Sequence, residues 1–397
     1  MLAALARGNS ELTGLLTGDD VKSTARALRH LGTTVSAIRK DGSVSVRGSR
    51  LSSPASRLHC GNSGTTARLL LGILAGQRFA ATLTGDASLR RRPMRRVTEP
   101  LRTMGAEIVE RGDGLPLTIR GGRLRGLTYT SPVASAQVKS ALLFAGLTGG
   151  VPVTVREPYR SRDHTERLFA YLGLGIHQHD NVVSYQPAAV SVPPFEVSVP
   201  GDASSAAFLV AAAVLAEDGE LLVENVGVNP TRTGYLVVLG RMGARVDRLN
   251  LRDAGGEPVA DLVVRPATLR GTEVSAAEIP TLVDEVPVLA VLASRAKGST
   301  VFREVGELRV KESNRLELVA TNLRAVGVRA EARGNDLHVE GNERPPRGRV
   351  ETASDHRLAM AFAVLGTLPG ADVRLSERRS VAISYPGFFT DLKRIRS

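Results

Sequence analysis

The 397-residue chain carries 42% hydrophobic and 23% charged residues and a formal net charge of +12, a balance that excludes a disordered or fibrous chain and favours anionic partners. With no tryptophan and 4% aromatic residues, stacking platforms for nucleic acid are scarce, so acidic metabolites are the expected class and nucleic acid is not. The lone Cys60 excludes an internal disulfide and suits a cytoplasmic location, and "AAFLVAAAVLA" from Ala206 is too short for a membrane span.

The length exceeds what one core organises, so two domains are expected, residues 1–200 and 201–397, divided near "VSVPGDASS". The opening "MLAALARGNS" predicts the tail of a buried helix with Gly8 at its C-cap. From there one helix type recurs: amphipathic and closed by glycine, in "ARALRHLGTTV", "TEPLRTMGAEI", "ERLFAYLGLGI", "LVVLGRMGARV" and "VATNLRAVGVRA". Gly32, Gly105, Gly173, Gly243 and Gly327 mark those ends. Short alternating strands accompany them, among them "SVSVRG", "LPLTIRGG" and "DLHVEG".

A second helix type is apolar on nearly every face and starts on small polar residues. It appears in "GNSGTTARLLLGILAG", "SAQVKSALLFAGLTGG", "GDASSAAFLVAAAVLAEDG", "PTLVDEVPVLAVLASRAKG" and "SDHRLAMAFAVLGTLPG". Such helices are buried. The unit is therefore a buried helix, strands, a surface helix and a further strand, with about three units in each half. The expected architecture is α/β, with a first unit expected to be incomplete at Met1.

The starts of the buried helices offer free backbone N–H groups and a positive dipole end, a natural anion site. In "CGNSGTTAR", Asn62 or Ser63 is the expected cap and Gly64 lets a ligand approach the backbone. "SLRRRPMRRV" packs five arginines into seven residues, with Pro93 at a predicted helix start. "SAQVKSALL" holds Lys139, one of six lysines. "SRDHTERL" supplies Arg162, His164 and Glu166, and "VDEVP" sets Asp284 and Glu285 in an apolar segment, where carboxylates are costly unless used. "RVKESNRL" supplies Lys311, Glu312 and Arg315, and "SDHRLAM" supplies Asp355, His356 and Arg357. Each has an ordinary explanation as a cap or ion pair, but all fall at equivalent ends of the repeat. His177 and His179 lack further ligands, so no metal is expected. No nucleotide-binding glycine motif stands in the right context.

In this order "GNSGTTAR", "RRPMRRV", "SAQVKSA", "SRDHTER", "GDASSAA", "NPTRTG", "RVKESNR" and "SDHRLAM" resemble the 5-enolpyruvylshikimate-3-phosphate synthase family over essentially the full chain. The resemblance implies two similar domains, each of three βαβαββ units around buried parallel helices, with substrates between the domains. It implies transfer of enolpyruvyl from phosphoenolpyruvate to shikimate 3-phosphate in a cytoplasmic monomer without cofactor, metal, nucleic acid or membrane. Gly64, Arg92, Gln137, Arg315 and Arg357 would then hold phosphoenolpyruvate. Ser135, Ala136, Gln137, Ser161, Arg162, Asp284 and Lys311 would hold shikimate 3-phosphate, with His164 in the wall. Asp284 would accept the hydroxyl proton, and Glu312, helped by Lys311, would protonate the methylene carbon. The related UDP-N-acetylglucosamine enolpyruvyl transferase typically carries a cysteine where "SLRRRPMRR" has none.

The resemblance also implies departures. A Gly-[Asp/Ser]-Lys-Ser…Arg stretch at the first buried helix is expected ahead of Met1. An extension supplying it, with a strand for the second domain, is expected to raise stability and activity. Ala136 replaces a frequent serine, and Ile383 stands where some members carry a lysine. The competing reading is an inactive relative retained as a binding or scaffold protein.

Overall fold

The computed structural model describes residues 1–110, 112–188 and 191–395. The chain forms two compact units: Met1–Val199 with Ala254–Glu257, and Pro200–Asp253 with Pro258–Ser397. Each has its own apolar core.

Among the described residues, the first unit holds three four-stranded sheets of one design. In each, an edge strand pairs in parallel and the rest run antiparallel. The orders are Glu196–Ser198, Asn9–Thr13, Val44–Arg47, Thr34–Val35; then Leu58–His59, Ala80–Thr84, Leu117–Arg120, Glu107–Glu110; then Leu127–Thr130, Val153–Arg156, Val182–Tyr185, Ile176–His179. The second unit repeats the design in the sheet Glu273–Val274, Ser299–Phe302, Asp336–Glu340, Ala330–Arg333. It adds a three-stranded sheet, in which Leu221–Gly227 and Glu257–Val264 run antiparallel, and the parallel pair Arg347–Val350 with Asp372–Leu375.

The all-apolar helices are buried as expected: Gly64–Ala75 and Ala136–Gly149 pack on each other, and Ala203–Val214, Val286–Ala293 and His356–Leu365 pack mutually. Their sequences lack a polar stripe because no face meets water. The amphipathic helices end on glycines in left-handed conformation, Gly32, Gly105, Gly173, Gly243 and Gly327, where a Cβ is strained. Among the described residues no helix is long and apolar enough to cross a membrane. Cys60 is fully buried, and burial pushes its thiol up to about 12, so it is core and not a nucleophile at neutral pH.

One contact recurs at the far end of the buried helices. The strands ending at Arg47, Arg120 and Glu340 are each followed by glycine. A side chain on Gly48, Gly121 or Gly341 would meet the carbonyl oxygen of Ala6, Leu74 or Ala296 at 2.2, 2.1 and 1.8 Å. The next residue then donates its N–H to a carbonyl at the helix end: Ser49 to Ala4 (3.3 Å), Gly122 to Ala75 (3.1 Å) and Asn342 to Ser294 (3.0 Å). Carbonyls that a helix leaves unpaired are thus satisfied by a neighbouring meander.

Two local expectations need correction. The helix Leu2–Leu5 closes at Ala6 in extended backbone, and Gly8 is not its C-cap. Arg7 N–H bonds the Val192 carbonyl (3.0 Å), drawing the chain straight into the strand Asn9–Thr13. Pro93 precedes the helix Arg95–Met104, whose N-cap is Met94. The backbone N–H groups of Met94 and Arg95 bond the Asp113 carbonyl and carboxylate (2.7 and 3.0 Å), which sets the start later.

Candidate active-site clusters

In the first unit, the helix Gly64–Ala75 starts on Ser63, whose Oγ accepts the Thr66 N–H (3.2 Å). Gly64 lies under two guanidinium groups: a Cβ there would stand 2.8 Å from Arg68 and 3.5 Å from Arg92. Arg68 donates to Gln137 Oε1 (2.6 Å) and to the Pro93 carbonyl (2.9 Å). Gln137 donates back to Thr65 Oγ1 (2.9 Å). Arg92 donates to Asn62 Oδ1 (2.6 Å), and Asn62 is held in turn by Asp86 (2.6 Å). Gly64, Arg92 and Gln137 are therefore one cluster, joined by Arg68. Of the other arginines of "RRRPMRR", Arg90, Arg91 and Arg95 are exposed and Arg96 is half-buried.

A second group is built on Glu157, just past the strand Val153–Arg156. Its carboxylate accepts the Ser135 N–H (2.8 Å) with Oε1 and the Ser161 hydroxyl (2.8 Å) with Oε2. Lys139, 1% exposed, sits between Glu157 (2.8 Å) and Glu166 (2.7 Å). Burial works against the charge on Lys139, but Glu166 and Glu157 outweigh it and hold its pKa above the usual lysine value. Burial pushes Glu166 up. Ser135 is the N-cap position of the helix beginning at Ala136, and Ser161 and half-buried Arg162 lie just before the helix His164–Tyr171. Asp163 pairs with Arg160 (2.7 Å) and Arg167 (3.0 Å) and does not cap that helix through its side chain. His164 bonds Glu257 (2.7 Å) through Nδ1.

In the second unit, Arg315 is the organiser. It is 1% exposed and sits among three carboxylates. Asp355 takes Nε (2.7 Å) and Nη2 (3.2 Å), Asp284 takes Nη1 (3.4 Å), and Glu312 pairs with Nη2. Burial works against the guanidinium charge, but the carboxylates outweigh it and raise the pKa. Burial likewise opposes the Asp355 charge, yet Arg315 holds that carboxyl down at about 2. Asp355 also caps the helix His356–Leu365, accepting the Arg357 N–H (3.0 Å). Ala353 and Ser354, just before it, are both left-handed, a strained approach that the cap and the Arg315 pair sustain.

Lys311 stands 2.8 Å from Glu307 and 3.6 Å from Asp284. Arg357 donates to the Asp284 carbonyl (3.2 Å) and lies 3.5 Å from Glu285. Glu285, 1% exposed, accepts the Ser204 hydroxyl, which also takes a hydrogen bond from Arg232 (2.6 Å). Asp284, Lys311, Glu312, Arg315 and Arg357 thus form one cluster. His356, beside it, is depressed to about 4 by burial and then by Arg357. Ile383 lies half-buried in the turn Arg379–Ile383.

The profile of the family described as EPSP synthase (3-phosphoshikimate 1-carboxyvinyltransferase) matches residues 1–392. The 3-phosphoshikimate 1-carboxyvinyltransferases of Synechococcus sp. (strain RCC307) and Gloeobacter violaceus are 47% and 49% identical to this chain, over 100% of it and 93% of each relative. The solved EPSP synthase of Acinetobacter baumannii superimposes with a TM-score of 0.88 at 38% identity, covering 100% of this chain and 92% of that one. The enolpyruvyl transferase NikO of Streptomyces tendae, at 20% identity and a TM-score of 0.77, shares the fold. The chain belongs to the EPSP synthase family.

Proposed function

We propose that this protein transfers the enolpyruvyl group of phosphoenolpyruvate to the 5-hydroxyl of shikimate 3-phosphate and releases phosphate. The hydroxyl oxygen attacks the C2 carbon of phosphoenolpyruvate as Asp284 takes its proton. Glu312, assisted by Lys311, delivers a proton to C3, giving a tetrahedral adduct. The C2–O bond to phosphate then breaks and C3 gives up a proton, restoring the double bond. An acid and a base on separate elements suit addition followed by elimination.

The observation that carries this reading is the buried Arg315, which brings the two candidate proton carriers, Asp284 and Glu312, onto one guanidinium. With Arg357 and Arg92, it supplies the forked donors that suit a carboxylate and a phosphate. Gln137 and Gly64 would complete the phosphoenolpyruvate contacts. Ser135, Ala136, Ser161, Arg162 and Lys311 would take shikimate 3-phosphate, Ala136 through its backbone.

Phosphate release with both substrates tests the proposal. Release that needs shikimate 3-phosphate, and that UDP-N-acetylglucosamine cannot replace, is the expected result. No release with either acceptor would leave a binding protein in place of an enzyme.

A further inference from the structure

Glu157 lies in neither helix start that the substrate proposal uses, yet it touches both. One carboxylate oxygen fixes the backbone of Ser135, and the other fixes the hydroxyl of Ser161. Resting on the shikimate 3-phosphate reading, we infer that Glu157 is a positioning residue: it sets the two serine-bearing segments in the mutual geometry that shikimate 3-phosphate requires.

Chemistry favours this over a plain buried ion pair. Lys139 needs one carboxylate for neutrality and has two. The second negative charge is expensive in a dry site, and Glu166 already pairs with the lysine through one oxygen. Glu157 also shares its oxygens with a backbone N–H and a hydroxyl, charge-assisted bonds that fix direction as well as distance. Lys139, on the helix of Ser135 and Gln137, anchors that carboxylate from beneath. A further bond, Ser140 Oγ to Thr165 Oγ1 (2.7 Å), ties the same two helices one step along. The anion would meet a frame already built, with little ordering left to perform on binding.

The test compares Glu157→Gln with Glu166→Gln. Each removes one negative charge from the same lysine with almost no change in size, but only the first touches the serines. Calorimetric titration of shikimate 3-phosphate and steady-state phosphate release read binding and turnover separately. Glu157→Gln should weaken shikimate 3-phosphate binding and raise its KM about tenfold, while the KM for phosphoenolpyruvate and kcat stay within about threefold. Glu166→Gln should leave both KM values within about threefold, whatever it does to the melting temperature.

Equal losses of shikimate 3-phosphate affinity in the two variants, or none in Glu157→Gln, would overturn the inference. Should Glu157→Gln fail to fold, Lys139→Arg takes its place. The bulkier cation keeps both ion pairs but displaces Glu157, and it should produce the same selective loss; an unchanged affinity there overturns the inference equally. A wild-type chain that binds shikimate 3-phosphate but releases no phosphate would refute the enzymatic proposal and leave the binding comparison readable. A wild-type chain that does not bind it would refute both.

Discussion

The guanidinium groups beside Gly64 and those around Asp284 meet different chemistry. In the first, Arg68 and Arg92 lean on the amide oxygens of Gln137 and Asn62. In the second, Arg315 and Arg357 lean on Asp355, Glu312, Asp284 and Glu285. An amide orients a guanidinium without cancelling its charge. Carboxylates cancel it, and they also offer sites for protons. Within the proposed reaction both units supply cations for the substrates, and the second adds the carboxylates that exchange protons.

The largest break in that comparison should come from Arg315→Met. It leaves Asp355, Asp284 and Glu312 facing one another without their cation, and loss of one partner from a buried pair costs about 3–5 kcal/mol. Urea unfolding should show that loss, with phosphate release abolished. A drop below about 1 kcal/mol would mean that the carboxylates carry no mutual burden.

Acid should strike the second unit next. His356 is depressed from 6.5 to about 4, so between those values the unfolded chain binds more protons than the folded one. Stability therefore falls as pH drops from 6.5 towards 4, by up to about 3 kcal/mol. Asp355 is depressed from 3.8 to about 2; its contribution is present above the unfolded value and is lost as pH falls through the folded one. In His356→Gln the upper part of the profile, followed by thermal unfolding from pH 4 to 7, should be flat. A wild-type slope retained in that variant would assign the acid sensitivity elsewhere.

Removing an amide partner in the first unit should cost less. Asn62→Ala takes away one hydrogen bond to Arg92, about 1 kcal/mol of stability, and loosens the orientation of its guanidinium. The KM for phosphoenolpyruvate should rise about tenfold. An unchanged KM would place Arg92 outside the phosphoenolpyruvate site. The smallest effect belongs to its exposed neighbour: Arg91→Ala should shift stability by less than about 0.5 kcal/mol, with both KM values unchanged.

Much of the frame is legible in the residues because its signals are local. A left-handed helix end demands glycine wherever it occurs, and the five glycines closing the amphipathic helices all adopt it. A helix without a polar face has to be buried, and each one is. Pro93 and Gly8 mislead because a long-range partner, Asp113 or Val192, overrides the local preference. The site divides in the same way. Residue types at helix starts point to anions, and Lys139 stands out as a lysine among arginines. Glu157 has no such mark in "VREPYRS": its role depends on Ser135 and Lys139, which are far away in sequence and near only after folding. The Asp86–Asn62–Arg92 chain was hidden for the same reason.

The glycines at positions 48, 121 and 341 have a consequence for insertions and deletions. Each must arrive over a helix end with no side chain, and its successor must present an N–H to a waiting carbonyl. One residue added between strand and glycine would put a side chain against that carbonyl and move the donor off its acceptor. The same slip within the strand would exchange its inward and outward faces. Length changes among relatives should therefore accumulate in turns away from this end, leaving the spacing from strand to glycine as a ruler by which divergent copies of the unit can be aligned.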